Sequence, residues 1–260
     1  MANLVISLIH PATASCSGPQ EFLLVGRAHF MAGNLSDAIP PLQAAAASGD
    51  PAGADAHYLL GRIHLLMGDY RQSKEYFERA FEDCSGANPQ AYGCWRAAMG
   101  IGDALYGNGN YQEAIRRYRE AGQGSGVNRP ELDLRIALAD MAQGRREESL
   151  ERLREALSRI PVLSGWRGRE EDFIRTLTMQ GLNRNAPDIV RRFYVLVGPV
   201  GREVTTLDGI EIDSSVLIQR VRIKGRFFLE VGPFWDSIEA VMMAESIKSG
   251  ASLSAEIISR

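Results

Sequence analysis

Between residues 19 and 161, apolar side chains recur every three or four positions; beyond residue 187 they alternate. The first spacing predicts helices and the second predicts strands. Glycines divide the helical part. Gly33, Gly68, Gly109 and Gly144 each separate two helical segments, at spacings of 35, 41 and 35 residues. Five residues after each glycine stands Ala38, Ser73, Ala114 or Ser149. Four residues further on comes Leu42, Phe77, Tyr118 or Leu153, and three further Ala45, Ala80, Ala121 or Ala156. Seven residues before each turn stands Gly26, Gly61, Gly102 or Ala137. A glycine inside a helix costs up to about 1 kcal/mol relative to alanine, so these positions need a packing reason. The pattern predicts four αα-hairpins whose helices cross at small residues, with the large residue filling the gap to the next hairpin. No hairpin of this kind buries its face alone, so neighbours stack into a solenoid with a concave side.

These residues resemble the tetratricopeptide repeat, whose unit is about 34 residues. The resemblance covers residues 19–161. Gly33-Asn34-Leu35, Gly68-Asp69-Tyr70 and Gly109-Asn110-Tyr111 match that family's inter-helix turn, and Pro161 matches its closing proline. Pro40 and Pro41 depart from the pattern, because proline inside a helix removes an amide donor. So do Arg145-Arg146 in the fourth turn and the extra residues at 84–94. The resemblance implies a concave groove including Arg27, Phe30, Tyr58, Arg62, Leu65, Met99, Asp103, Tyr106 and Met141. Such a groove suits an extended or helical peptide of a protein partner. The competing expectation is that a capping helix or the C-terminal part covers several of these side chains.

Residues 162–187 read as a helical linker, with a helix over 170–179 and a Gly/Asn/Pro boundary at 181–187. The run Arg169-Glu170-Glu171-Asp172 reads as a solvated helix start, acids near the N-terminus. Residues 188–260 predict a small α+β domain. Phe193-Tyr194-Val195-Leu196-Val197-Gly198-Pro199 recurs as Phe227-Phe228-Leu229-Glu230-Val231-Gly232-Pro233. Arg220, Arg222 and Lys224 alternate with Val221 and Ile223. Asp236 caps a helix ending at Gly250, with Ile238, Val241, Met242 and Ile247 inward, and 251–258 returns as a strand. Between the two copies, 204–212 reads as a hairpin, and only Ser214 to Arg220 offers a helical turn.

This part resembles the SPOR domain, a bacterial peptidoglycan-binding module with two β-α-β halves and a ferredoxin-like, split β-α-β sheet. The whole chain is then multi-domain: an all-α solenoid followed by a small α+β unit. The resemblance implies glycan recognition on the sheet face not covered by helices. Tyr194, Phe228 and Trp235 are the expected stacking residues, with Arg220 and Arg222 as polar contacts; burial against the repeats is the competing expectation for Tyr194 and Phe228. Leu196 and Pro199 stand where that family prefers polar or small residues. The sheet and its aromatics also resemble RNA-recognition modules distantly. From Pro187 onward 9 Lys and Arg face 10 Asp and Glu, a poor balance for binding phosphate, so no nucleic-acid partner is expected.

The net charge of −3 over 260 residues likewise argues against a general polyanion binder. At the N-terminus (residues 1–18), the apolar run Leu4–Ile9 precedes Thr13-Ala14-Ser15-Cys16, which resembles a bacterial lipoprotein processing box. That resemblance implies lipidation at Cys16, a membrane anchor and a place in the periplasm or outer membrane. The alternatives are a disordered leader or a buried first strand, and a cytoplasmic protein. Cys84 and Cys94 flank a Gly/Pro-containing connection, where an oxidising compartment would let them pair.

No HExxH, Walker loop or GxSxG occurs, and no cofactor or metal site is expected. His29 and His64 hold equivalent repeat positions, which points to packing. The reading is a non-catalytic cell-envelope adaptor, with a peptide in the repeat groove and glycan on the sheet. Its rival is a cytosolic scaffold whose α+β domain contacts protein only.

Overall fold

The computed structural model describes residues 18–48, 51–87, 94–123, 129–181, 193–204, 206–207, 217–234, 237–250 and 253–259. The leader, Cys16, Trp235 and Asp236 lie outside the described residues, as does most of the 204–212 segment. Eight helices form four antiparallel hairpins: α1 (Pro19–Ala32) with α2 (Leu35–Ala46), α3 (Pro51–Leu66) with α4 (Tyr70–Ala87), α5 (Cys94–Gly107) with α6 (Tyr111–Ala121), and α7 (Arg129–Ala142) with α8 (Arg146–Arg159).

The four turns share one geometry. Each turn glycine has φ between 74 and 82°, the left-handed region that closes a helix without a Cβ penalty. The Gly33 amide donates to the Phe30 carbonyl at 2.8 Å and the Asn34 amide to the His29 carbonyl at 2.9 Å. The same pair of bonds closes the other three turns. At the crossings, a Cβ on Gly26, Gly61 or Gly102 would lie 2.5, 2.7 or 2.4 Å from the side chain of Leu42, Phe77 or Tyr118. Each small residue therefore seats the large residue of its own hairpin. Ser73 and Ser149 are buried among apolar groups, and each donates its hydroxyl to a carbonyl of the facing helix: Gly61 at 2.9 Å and Ala137 at 2.7 Å. The α2 helix continues through Pro40 and Pro41. A disulfide joins Cys84 to Cys94, tying the end of α4 to the start of α5 with the two Cα atoms 5.6 Å apart.

After α8 a 3-10 turn (Pro161–Trp166) leads to α9 (Glu170–Gly181). Among the described residues four strands follow, β1 (Phe193–Val200), β2 (Leu217–Ile223), β3 (Arg226–Phe234) and β4 (Ala255–Ser259), with α10 (Ser237–Gly250) between the last two. Leu217 to Arg220 is strand, not the helical turn expected there. The sheet is antiparallel in the order β2-β3-β1-β4. Because β3 and β4 both run antiparallel to β1, they are parallel to each other. The unit β3-α10-β4 is thus a split β-α-β. A two-residue turn, Lys224-Gly225, links β2 to β3 with both φ angles positive, which matches the twist of the hairpin.

The doubled strand unit has a geometric meaning. Leu196 pairs with Glu230, its own equivalent, so β1 and β3 are related by a local two-fold axis at that pair. The second residue of each copy then falls beside the sixth of the other. A Cβ on Gly232 would lie 2.9 Å from the Tyr194 ring, and one on Gly198 would lie 3.2 Å from the Phe228 ring. Each aromatic ring covers the other strand's glycine.

The repeats and the sheet share a core. Ile238 and Val241 of α10 join Leu153, Leu157, Ile160, Leu163 and Phe173 in one cluster. Ala240, Ala244 and Ile247, elsewhere on the helix, join Val195, Val197, Leu229 and Val231 of the sheet. A helix apolar on two sides is one buried between two layers. The linker is therefore part of a seam. Glu170, at the start of α9, is buried and accepts the Gly168 amide at 3.0 Å, so the acidic start of this helix is not wholly solvated.

Candidate functional site

The groove residues expected from the tetratricopeptide resemblance all lie on the first helices of the hairpins, taken as the inner helices. Here these are α1, α3, α5 and α7, and three expected groove positions recur along them. The first holds Leu23, Tyr58, Met99 and Leu134; all but Tyr58 are core. The second holds Arg27, Arg62, Asp103 and Leu138, all at least partly exposed. The third holds Phe30, buried, and Leu65, Tyr106 and Met141, half-buried. Phe30 and Met99 thus leave the groove: Phe30 packs with Leu35 of α2, and Met99 with the cluster around Phe77 and Tyr118.

The remaining side chains form a partly apolar strip with a charged floor. Tyr58 leans on Phe77 with ring centroids 5.6 Å apart, and Tyr106 meets Tyr111 edge-on at 5.3 Å. Arg27 faces Asp55 at 3.6 Å, a solvent-exposed pair of small energetic weight. Asp103 is bound differently. It accepts the Tyr118 hydroxyl at 2.8 Å and the Arg135 Nε at 3.2 Å. Arg135 also bonds Glu131 at 2.9 Å, and its own side chain is buried. Burial and the Asp103 carboxylate push the Tyr118 hydroxyl well above its ordinary pKa, so it stays a donor. The sequence reading found Asp103 but missed Arg135 and Glu131. The signal available was an arginine within the apolar face of α7, between Leu134 and Ile136.

A second charged group closes the last hairpin. Asp140 takes Arg145 at 2.5 Å and Arg152 at 3.3 Å, which gives the unusual Arg145 in the turn a partner. His64 is stacked on Tyr76 at 5.2 Å, and burial lowers its pKa while Asp69, 3.7 Å away, opposes that shift.

In the sheet, strand pairing fixes which side chains share a face. Tyr194, Leu196, Phe228 and Glu230 lie on the face away from α10. The three apolar residues are half-buried and Glu230 is fully buried, with the Gln219 amide donating to it at 2.5 Å. Arg220 and Arg222 do not join them. They pair with Leu229 and Phe227 on the helix-bearing side, and both guanidinium groups sit over the Phe227 ring, at 5.5 and 5.6 Å. Arg220 and Arg222 are therefore separated from Tyr194 and Phe228 by the thickness of the sheet. Among the described residues, no group of three His, Cys, Asp or Glu could hold a metal, and no helix is long and apolar enough to cross a membrane.

Family models described as tetratricopeptide repeat match residues 53–121 and 23–68, so these repeats are present in the chain. No curated protein matches the sequence. Among solved structures, the chain is similar to the Rap conjugation gene regulator of the plasmid pLS20 in complex with the Phr* peptide. Identity is 18% and the TM-score 0.49, over 65% of this chain and 49% of that one, about half its length. It is also similar to MamA AMB-1, at 19% identity and a TM-score of 0.42, over 66% of this chain and 97% of that one. Likeness at this level carries no inference about what the chain binds.

Proposed function

We propose that the protein is a non-catalytic adaptor that holds a segment of a protein partner along the inner helices of its repeats. The observation that carries this reading is the strip of part-exposed side chains at equivalent positions, Tyr58, Arg62, Leu65, Tyr106 and Met141, beside the internally paired charged group of Asp103, Arg135 and Glu131. Such a group keeps the inner surface rigid, while the strip offers apolar contact and polar edges to a peptide. Leu65→Glu and Tyr106→Glu should each lower partner capture at least tenfold with unchanged circular dichroism. Equal loss from Glu82→Lys and Glu151→Lys, on the outer helices, would sink the reading.

A second reading places peptidoglycan on the sheet. Two observations favour it: the strand order with its split β-α-β unit, and the half-buried Tyr194, Leu196 and Phe228 on the helix-free face. The Cys84–Cys94 disulfide suits the oxidising envelope that this reading requires. Arg220 and Arg222 drop out of the proposed contact set. The full chain should pellet with purified sacculi, and more so after amidase removes stem peptides. If it stays in the supernatant with both, the sheet serves protein contact only.

A further inference from the structure

The cations of the sheet are segregated from its acids. Between Asp213 and Glu230 the sequence holds Arg220, Arg222, Lys224 and Arg226 and no carboxylate. Folding adds Arg202 to them. Val200 pairs with Phe227, so β1 ends beside the β2–β3 hairpin turn, and the turn at 201–204 follows there. The Arg220 guanidinium donates to the Arg202 carbonyl, which holds that turn against β2. All five cations are exposed. In the repeats, exposed arginines meet acids: Arg27 with Asp55, Arg116 with Glu113 and Arg159 with Asp133. Among the described residues, no carboxylate forms an ion pair with any of the five. Glu203 is exposed beside them, and Glu230 is buried. The repeats meet α10 in its first two turns, through Ile238 and Val241, which follow the Phe234 end of β3. The cationic end of the sheet lies at the other end of β3, about 20 Å away at about 3.4 Å per residue.

We propose that this end of the sheet docks on an anionic phospholipid surface. The arrangement of the cations selects the partner. Arg220 and Arg222 lie on the helix-bearing side of the sheet, over Phe227. Arg226, paired with Ile223, lies on the helix-free side, and Lys224 stands in the turn. The charges thus fan out from a hairpin tip and do not converge on a pocket. An extended peptide or a small anion would meet one side of that tip. A layer of phosphate headgroups meets both sides and the turn at once. Val204, 37% exposed in the same turn as Arg202, offers an apolar side chain to the headgroup boundary. Clusters of this size bind anionic lipid through attraction that each cation adds to and that salt screens. Cations on an edge strand also deter strand pairing, but that role asks for charge on β2 and gives none to Arg202 or Arg226. The proposal is independent of what the repeat groove or the helix-free face holds.

The test is flotation of the full chain with phosphatidylcholine vesicles carrying about one-third phosphatidylglycerol, compared with phosphatidylcholine alone. We expect binding to the anionic vesicles only, lost in about 1 M NaCl. Lys224→Glu with Arg226→Glu spares the cover of Phe227 and should lower binding at least tenfold with unchanged circular dichroism. Arg202→Gln lies outside the strands, tests the same surface without altering the hairpin, and should lower binding about fivefold. Arg71→Glu with Arg119→Glu, exposed on α4 and α6, changes the net charge by the same amount as the hairpin pair and should leave most binding intact. No flotation, equal flotation with both kinds of vesicle, unchanged binding in either variant of this end, or equal loss from the α4 and α6 pair overturns the proposal. Retention on intact sacculi that the hairpin pair abolishes, without flotation, would make the anion a wall carboxylate and overturns it as well.

Discussion

Gly102→Ala isolates the packing argument on which the array rests. Two terms oppose each other. Alanine gains about 1 kcal/mol over glycine in a helix interior. Against this, the new methyl would lie 2.4 and 2.6 Å from two Tyr118 ring atoms, distances that require something to move. Tyr118 is buried and its hydroxyl is held by Asp103, so the ring cannot swing aside without losing that bond. Overpacking of this kind costs about 1–3 kcal/mol. With two ring atoms inside contact distance the upper part of that range applies, which leaves a net loss of about 1–2 kcal/mol. For a chain of this size that lowers Tm by about 3–6 °C. Gly53→Ala is the internal control. It is also helical, in the first turn of α3, but its nearest neighbour would be 3.5 Å away, an ordinary contact. Gly53→Ala should therefore leave Tm unchanged or raise it slightly. Thermal and urea melts followed at 222 nm give both numbers. If Gly102→Ala is as stable as Gly53→Ala, close helix approach at the crossings is not what fixes these glycines.

Arg135→Met leaves the Asp103 and Glu131 carboxylates without their shared cation and should cost about 3–5 kcal/mol in urea unfolding; a loss under about 1 kcal/mol would show that solvent reaches the group. Ile238→Ala opens a cavity at the seam and should cost about 2–5 kcal/mol, with helix and sheet signals melting together; separate transitions would mean that the two parts do not share a core. His64 has its folded pKa held below 6.5, so the unfolded chain takes up the proton first as pH falls. Its contribution to stability is present above pH 6.5 and is lost as pH falls towards and through the folded pKa, and His64→Phe should flatten that part of the stability profile. An unchanged profile would assign the pH dependence to other groups.

The repeats were legible in the sequence because their signal is local. A glycine at a left-handed turn and a small residue opposite a large one recur at fixed spacing, and each follows from backbone sterics within one hairpin. The groove was less legible. Phe30 and Leu65 hold equivalent positions, yet only Phe30 is buried, because its burial depends on what α2 places against it. Alternation along β2 separated Arg220 and Arg222 from Val221 correctly, but alternation cannot say which side meets a helix; pairing with Leu229 and Phe227 decides that. The seam was hidden for a similar reason. One apolar stripe on α10 was expected, and the second partner, the end of the repeats, lies about 80 residues away in the chain. The doubled strand unit was visible, but its two-fold pairing was not, and that pairing gives Tyr194 and Phe228 a packing role over Gly232 and Gly198 before any role in binding.

The central claim is that a protein partner lies along the inner helices. A photo-crosslinking residue placed singly at Leu65 or Tyr106, in cells that make the full chain, tests it most directly when compared with the same residue at Glu82 and Glu151 on the outer helices. The account predicts one and the same cross-linked polypeptide from Leu65 and Tyr106, mapped to a single short segment, and none from Glu82 and Glu151. Cross-links that arise only from the outer positions, or to unrelated segments from the two inner ones, would contradict it.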